Sequence, residues 1–161
     1  MLGKILKLFV GDKSKKDLKT IMPIIDQIHS FEDEIGKLSN DELRNQTSLF
    51  KEQIKSSVSD VDDEIENLKI EVEKTKDFDK KESLFTEIDK LNEEAYKINE
   101  NTLNQILPKA FAVIKETAKR FVDNKEIVVT ASEYDLELST EKDYVNVTKD
   151  KATWLNSWDA A

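Results

Sequence analysis

The chain has 161 residues, 38% hydrophobic against 37% charged and only 7% aromatic, a supply of core residues that suits long two-sided helices better than a compact α/β unit. Its three glycines, Gly3, Gly11 and Gly36, are isolated, which excludes a glycine-rich phosphate loop. It has no cysteine, so disulfides, thiol nucleophiles and thiolate zinc sites are excluded, in keeping with a reducing cytosol.

The net charge of −9 is unevenly spread. Residues 1–20 carry six lysines against Asp12 and Asp17, whereas residues 58–101 carry fifteen acidic groups against seven lysines. An acidic middle argues against general nucleic-acid binding, because phosphate contacts need clustered Lys and Arg. No run of about 20 apolar residues is present, so nothing in the sequence spans a bilayer. Residues 1–10 are too short and too rich in lysine for a cleavable signal.

Residues 1–10 put Leu2, Ile5, Leu6 and Phe9 on one helical face, with Lys4 and Lys7 off it. Gly11 is a plausible stop, and Lys13, Lys15, Lys16 and Lys19 follow at once. The plainer reading is an exposed helix lying on its own protein; the sharper one is an interfacial helix meeting anionic lipid or a membrane partner. Ser14–Asp17 can cap the next helix, whose apolar face runs Leu18, Ile21, Met22, Ile25, Ile28 and Ile35, with Pro23 early and Gly36 at the end. His29, the single histidine, lies in this stretch, where a structural or surface role is expected. Ser39-x-x-Glu42 is a capping box that starts a helix reaching to about Lys55 through Leu43, Phe50 and Ile54.

At Ser56-Ser57 the pattern narrows. Val58, Val61, Ile65, Leu68 and Val72 form a heptad stripe, repeated after a charged break at Asp77–Lys81 by Leu84, Ile88, Leu91, Ala95 and Ile98. Two narrow-striped helices joined by a short polar turn predict an antiparallel αα-hairpin. A solvated spacer is its plainer role and a partner-binding arm the alternative.

Leu103, Leu107, Phe111, Ile114, Ala118 and Phe121 then mark one stripe, widened by Ala110 and Val113. That stripe is expected to be buried, with a kink or restart at Pro108. Beyond Val122, residues 127–130, 134–138, 144–148 and 152–155 suit strands, giving a small β hairpin or three-stranded meander. Trp154 and Trp158 should dock on the helices or on chain further along. The fold class is therefore mainly α: long helices, an inserted antiparallel helical hairpin and a small C-terminal β element.

Pro108-Lys-Ala-Phe-Ala-Val-Ile-Lys-Glu-Thr-Ala-Lys-Arg120 resembles a signature stretch near the N-terminus of the SecA family, the bacterial preprotein translocase motors. Leu38-Ser-Asn-Asp-Glu-Leu43, with Thr47 and Phe50, resembles that family's Leu-Ser-x-x-Glu-Leu element. The resemblance covers residues 1–56 and about 103–122, behind a basic N-terminal helix. It implies an N-terminal fragment divided into 1–57 (basic amphipathic and family-like helices), 58–101 (an inserted acidic hairpin), 102–122 (a helix packing on a nucleotide-binding domain) and 123–161 (a second, truncated insertion).

The resemblance further implies ATP and Mg in the intact parent, with a SecYEG-type translocon, anionic phospholipids and preprotein as partners. It places the protein in the cytoplasm, peripherally on the inner face of the plasma membrane. Leu2, Lys4, Ile5, Leu6, Lys7, Phe9, Lys13, Lys15 and Lys16 are the expected membrane- or channel-binding residues. No catalytic, cofactor or metal site is expected in this chain: it lacks the phosphate loop and the glutamine motif of the family, and its carboxylates lie on exposed helix faces. A stand-alone helical adaptor or holdase-like protein is the alternative, and the sequence leaves the oligomeric state open.

Overall fold

The computed structural model describes the backbone of residues 2–157 and the side chains of residues 16–157. The chain runs α1 (Leu2–Gly36), α2 (Asn40–Lys74), α3 (Phe78–Asp123), β1 (Glu126–Thr130), α4 (Glu133–Glu141), β2 (Val145–Thr148) and β3 (Lys151–Leu155). The fold is mainly α with a small antiparallel sheet, as the composition and periodicity imply. The chain divides into two compact units, one of Met1–Gln46 with Pro108–Ala161 and the other of Thr47–Leu107.

The second unit is the helical hairpin. Its legs are the later part of α2 and the earlier part of α3, and the chain reverses at Thr75–Asp77. Asp77 starts the return leg, its Oδ1 accepting from the amides of Asp79 (3.0 Å) and Lys80 (3.3 Å). Val58, Ile65, Leu84 and Ile88 are buried along the seam, and the other heptad positions are half-buried. Glu71 and Lys80 join the legs near the turn at 2.5 Å. The expected helix end at Lys55 and new start at Ser56-Ser57 do not occur, because α2 passes through both. Those serines bond instead to the carbonyls of Gln53 and Ile54, three residues back, which a continuing helix accommodates.

In the first unit α1 is continuous from Leu2 to Gly36. Gly11 therefore does not stop it and Ser14–Asp17 does not start another helix; a lone Gly inside a helix costs only about 1 kcal/mol relative to Ala. Pro23 is likewise inside α1, and Pro108 inside α3 without a restart. The Ser39 box forms as expected: Ser39 N–H donates to Glu42 Oε2 at 2.7 Å and Glu42 N–H to Ser39 Oγ at 3.2 Å.

The sheet has the order β1-β3-β2, all neighbours antiparallel. The β2–β3 hairpin closes through Lys149 and Asp150, with Lys149 in the left-handed region at φ 57°. β1 reaches the far side of β3 through α4, so the strands do not follow in a simple meander. Ile127, Val129 and Ala152 form the buried face, packed by Phe121, Ala131, Val147 and Trp154. The expected strand at 134–138 is α4 instead. Tyr134, Leu136 and Leu138 alternate as a strand would, but Ser132 caps a helix there and Asp135, at its third position, returns a bond to the Ser132 amide.

Candidate functional site

The stripe Leu103, Leu107, Phe111, Ile114 and Ala118 is exposed rather than buried, and only Phe121 is half-buried. Ile106, Pro108, Ala112 and Val113 are the buried residues of this stretch. Periodicity identifies an apolar face; it does not identify which of two apolar faces the fold covers. Within the first unit, Phe111, Ile114 (64% exposed) and Val122 on α3 are open apolar groups, as are Leu18, Ile21 and Met22 on α1. Ile35, by contrast, is fully buried.

Charged contacts hold α1 and α3 together beside that open face. Lys109 reaches Glu34 at 2.8 Å and lies 5.9 Å over the Phe31 ring, and Lys115 reaches Glu32 at 2.5 Å. Bonds from Lys115 and His29 hold the Glu32 carboxyl below the usual range. His29 is exposed and paired with Glu32, in line with a surface role.

The two stretches that carry the family resemblance meet at the N-terminus of α2. Arg120 donates to the Leu38 carbonyl (2.7 Å), to Asn40 Oδ1 (2.9 Å) and to Glu116 (2.9 Å). The same Asn40 donates through Nδ2 to the Val128 carbonyl on β1 at 3.1 Å. Asp41 accepts from the Thr130 amide (2.7 Å) and hydroxyl (2.9 Å), and these two bonds depress its carboxyl pKa. One turn of helix thus fixes α3 on one side and the sheet on the other.

Next to it lies the one charged carboxylate with no exposure among the described residues. Asp135, 0% exposed, receives the Arg44 guanidinium in a two-pronged pair at 2.7 and 2.9 Å. It also accepts from the Ser132 amide (2.8 Å), the Ser132 hydroxyl (2.8 Å) and Trp154 Nε1 (3.0 Å). Arg44 donates in addition to Ser132 Oγ at 3.0 Å. Burial opposes ionisation of Asp135, but the Arg44 and Ser132 bonds outweigh it and hold its pKa at about 2. Such a carboxylate is neither a base nor an acid near neutral pH; it positions α2, α4 and β3.

Trp154 completes this cluster, its ring 6.4 Å from those of both Tyr134 and Tyr144. It packs against Tyr134 of α4, a helix in place of the strand expected there. With Phe121, Tyr144, Leu155 and Asn156 it lines an open apolar hollow of about 320 Å³. Trp158 lies outside the described residues.

The sequence reading missed Arg44, Asp135 and Ser132. Ser132-x-x-Asp135 has the same spacing as the Ser39 box, and that signal could have found two of the three. Of the expected membrane-binding residues, the side chains of Leu2, Lys4, Ile5, Leu6, Lys7, Phe9, Lys13 and Lys15 lie outside the described residues, and Lys16 is exposed. Among the described residues there is no group of His, Asp and Glu arranged to hold a metal ion, and no helix long and apolar enough to cross a membrane.

The described residues thus form helices locked to a small sheet by satisfied polar contacts, with an open apolar face beside them. Comparison with known proteins gives the family. Residues 6–136 match the SecA DEAD-like domain. The protein translocase subunit SecA of Flavobacterium psychrophilum is 55% identical over 160 residues, covering 99% of this chain. Those of Christiangramia forsetii and Phocaeicola vulgatus are 51% and 44% identical, over 99% and 94% of it. No solved structure matches. The chain belongs to the SecA family, and it spans about 14% of the length of these relatives. Because the first two matches cover nearly the whole chain, those relatives share the hairpin and sheet segments as well.

Proposed function

We propose that this chain serves within a SecA-type protein translocase, supplying helical framework and membrane or channel contact to a motor that drives preprotein export with ATP. The observation that carries the reading is the extended similarity to relatives named as translocase subunits. In this reading ATP and Mg are bound by parts of the protein that this sequence does not contain, and the chain alone is not an ATPase. The open face of Phe111, Ile114 and Val122 packs on the nucleotide-binding domain. Residues 58–101 and 123–161 are insertions beside the family-like helices.

The basic start of α1 meets anionic phospholipid or a SecYEG-type channel at the inner face of the plasma membrane. Leu2, Ile5, Leu6 and Phe9 supply apolar burial, while Lys4, Lys7, Lys13, Lys15 and Lys16 each add about 1 kcal/mol near an anionic surface. Neither contribution alone anchors a protein, so binding should need both and should weaken with salt. Vesicle co-sedimentation tests this: binding to anionic but not zwitterionic lipid, lost in Phe9→Asp and reduced in the Lys4→Glu, Lys7→Glu pair. Equal binding to both lipids would sink it. For the nucleotide, calorimetry with Mg-ATP should give no binding heat, and a saturable micromolar signal would overturn that part.

A further inference from the structure

The outward face of α3 within the hairpin unit carries a pattern that neither the heptad seam nor the family reading uses. Phe78, Phe85, Tyr96 and Leu103 stand at spacings that place them within about 20° of one line along the helix. All four are exposed, Phe78 at 86% and Tyr96 at 69%. Between them, on the same side, come Glu82, Asp89, Glu93 and Glu100, all exposed. Read along the face, each apolar rung is followed by an acidic one, with two, Asp89 and Glu93, between Phe85 and Tyr96. None of these four carboxylates has a cationic partner among the described residues, although Glu66 and Glu71 elsewhere on the hairpin do. Lys81 lies at one margin of the line, and Lys90 and Lys97 flank Glu93 and Glu100 at the other, unpaired with them among the described residues.

A purely solvated face has no physical need for two phenylalanines, a tyrosine and a leucine in register, and large apolar groups in a row mark a contact surface. The charges select what makes that contact. A second copy would bring the same carboxylates against these, and like charges across an interface cost affinity. The net −8 of residues 58–101 adds to that repulsion. We propose that this face docks a basic amphipathic peptide segment, its apolar side chains on Phe78, Phe85, Tyr96 and Leu103 and its Lys or Arg groups on Glu82, Asp89, Glu93 and Glu100. From Phe78 to Leu103 the helix rises about 37 Å, which matches a helical partner of about 25 residues.

The test uses the whole chain and a synthetic 25-residue Leu/Lys amphipathic helix labelled for fluorescence anisotropy, with the Leu/Glu version as control. Binding should be saturable, specific to the Lys peptide and weakened by salt. Phe85→Ser with Tyr96→Ser should abolish it. Glu82→Gln, Asp89→Asn, Glu93→Gln and Glu100→Gln together should weaken it at least about tenfold, as four partly exposed charge pairs imply. Neutralising Asp60, Asp62, Asp63 and Glu64 on the other leg should change it less than about twofold, since charges off the face contribute only screened attraction. Equal losses from the two acidic sets would reduce the effect to bulk charge and overturn the proposal.

Two other occupants would overturn it as well. Sedimentation showing a dimer that Phe85→Ser dissociates would assign the face to a second copy. This chain has no cysteine, so Phe85→Cys is a unique label site within it, followed in the full-length protein by mapping the labelled peptide. If it resists thiol reagents in the full-length protein while reacting in this chain, the face is covered by the protein's own remainder.

Discussion

The hairpin unit and the sheet unit reach order by opposite means. The hairpin is held by one repeated apolar contact: Val58, Ile65, Leu84 and Ile88 are buried, and what surrounds them is solvated charge. The sheet unit has a small apolar cluster of Ile127, Val129 and Ala152, and beside it a buried carboxylate whose hydrogen bonds come from α2, α4's own cap and β3. Heptad contacts are graded and nearly additive. A buried ion is all-or-none, because removing one partner leaves the other without water or a substitute. The two units should therefore fail differently under mutation.

The largest effect is expected at Arg44. Arg44→Ala leaves Asp135 buried without its cation, at a cost of about 3–5 kcal/mol to the sheet unit. Urea unfolding followed by tryptophan fluorescence measures it, since Trp154 bonds to the same carboxylate. Replacing both charges by Arg44→Met with Asp135→Asn, which keeps an acceptor for the Ser132 and Trp154 donors, should recover part of the loss. If Arg44→Ala costs under about 1 kcal/mol, the pair is only a surface contact and the contrast between the units dissolves.

In the hairpin, Ile65→Ala should cost about 2–4 kcal/mol, the transfer loss plus a cavity. Hydrogen exchange should show that loss in the amides of 58–101 while those of β1 and β3 keep their protection. Joining Ser57 to Thr102 by a short flexible linker should leave the sheet unit with its own cooperative transition. Faster exchange in β3 on Ile65→Ala would show that the two units do not unfold independently.

This contrast also explains what could be read in advance. The heptad stripe was fully legible because a coiled seam repeats itself, and every residue it named is buried or half-buried. The Ser39 box was legible because its two partners are three residues apart. Asp135 finds Arg44 across 91 positions, and no local pattern announces such a pair. α4 is concealed because Tyr134, Leu136 and Leu138 alternate as a strand does, and only the cap at Ser132 marks a helix. Gly11, Ser56-Ser57 and Pro108 are all local break signals that long helices pass through at modest cost.

A smaller effect lies in the acid range. The Asp135 pKa is lowered from 3.8 to about 2 on folding. Its contribution is fully present above the unfolded value and is lost as pH falls from about 4 through 2, because the unfolded chain takes up the proton first. A shift of that size corresponds to about 2 kcal/mol. Asp135→Asn should flatten this part of the stability profile, measured by urea midpoints between about pH 5 and 2. Asp41, also depressed, adds a weaker slope of the same sign that Asp41→Asn removes. An unchanged slope in Asp135→Asn would place the titration elsewhere.

The smallest effect is the most informative about α3. Phe111 and Ile114 belong to the stripe that periodicity alone would bury, yet the fold leaves them open and buries Ala112 and Val113 beside them. If they form a docking face rather than a core, Phe111→Ser with Ile114→Ser should change the stability of this chain by no more than about 0.5 kcal/mol, the usual range for exposed positions. Val113→Ala, which removes far less apolar surface, should cost more, about 1 kcal/mol or above, because the site is already packed. Thermal unfolding of the three variants gives the order directly. A loss above about 2 kcal/mol in the Phe111, Ile114 pair would mean that the stripe is core in solution, and the packing of α3 would have to be inverted. A near-zero loss here, with the same pair protected from solvent in a full-length SecA, would locate its role in contact with segments outside this chain.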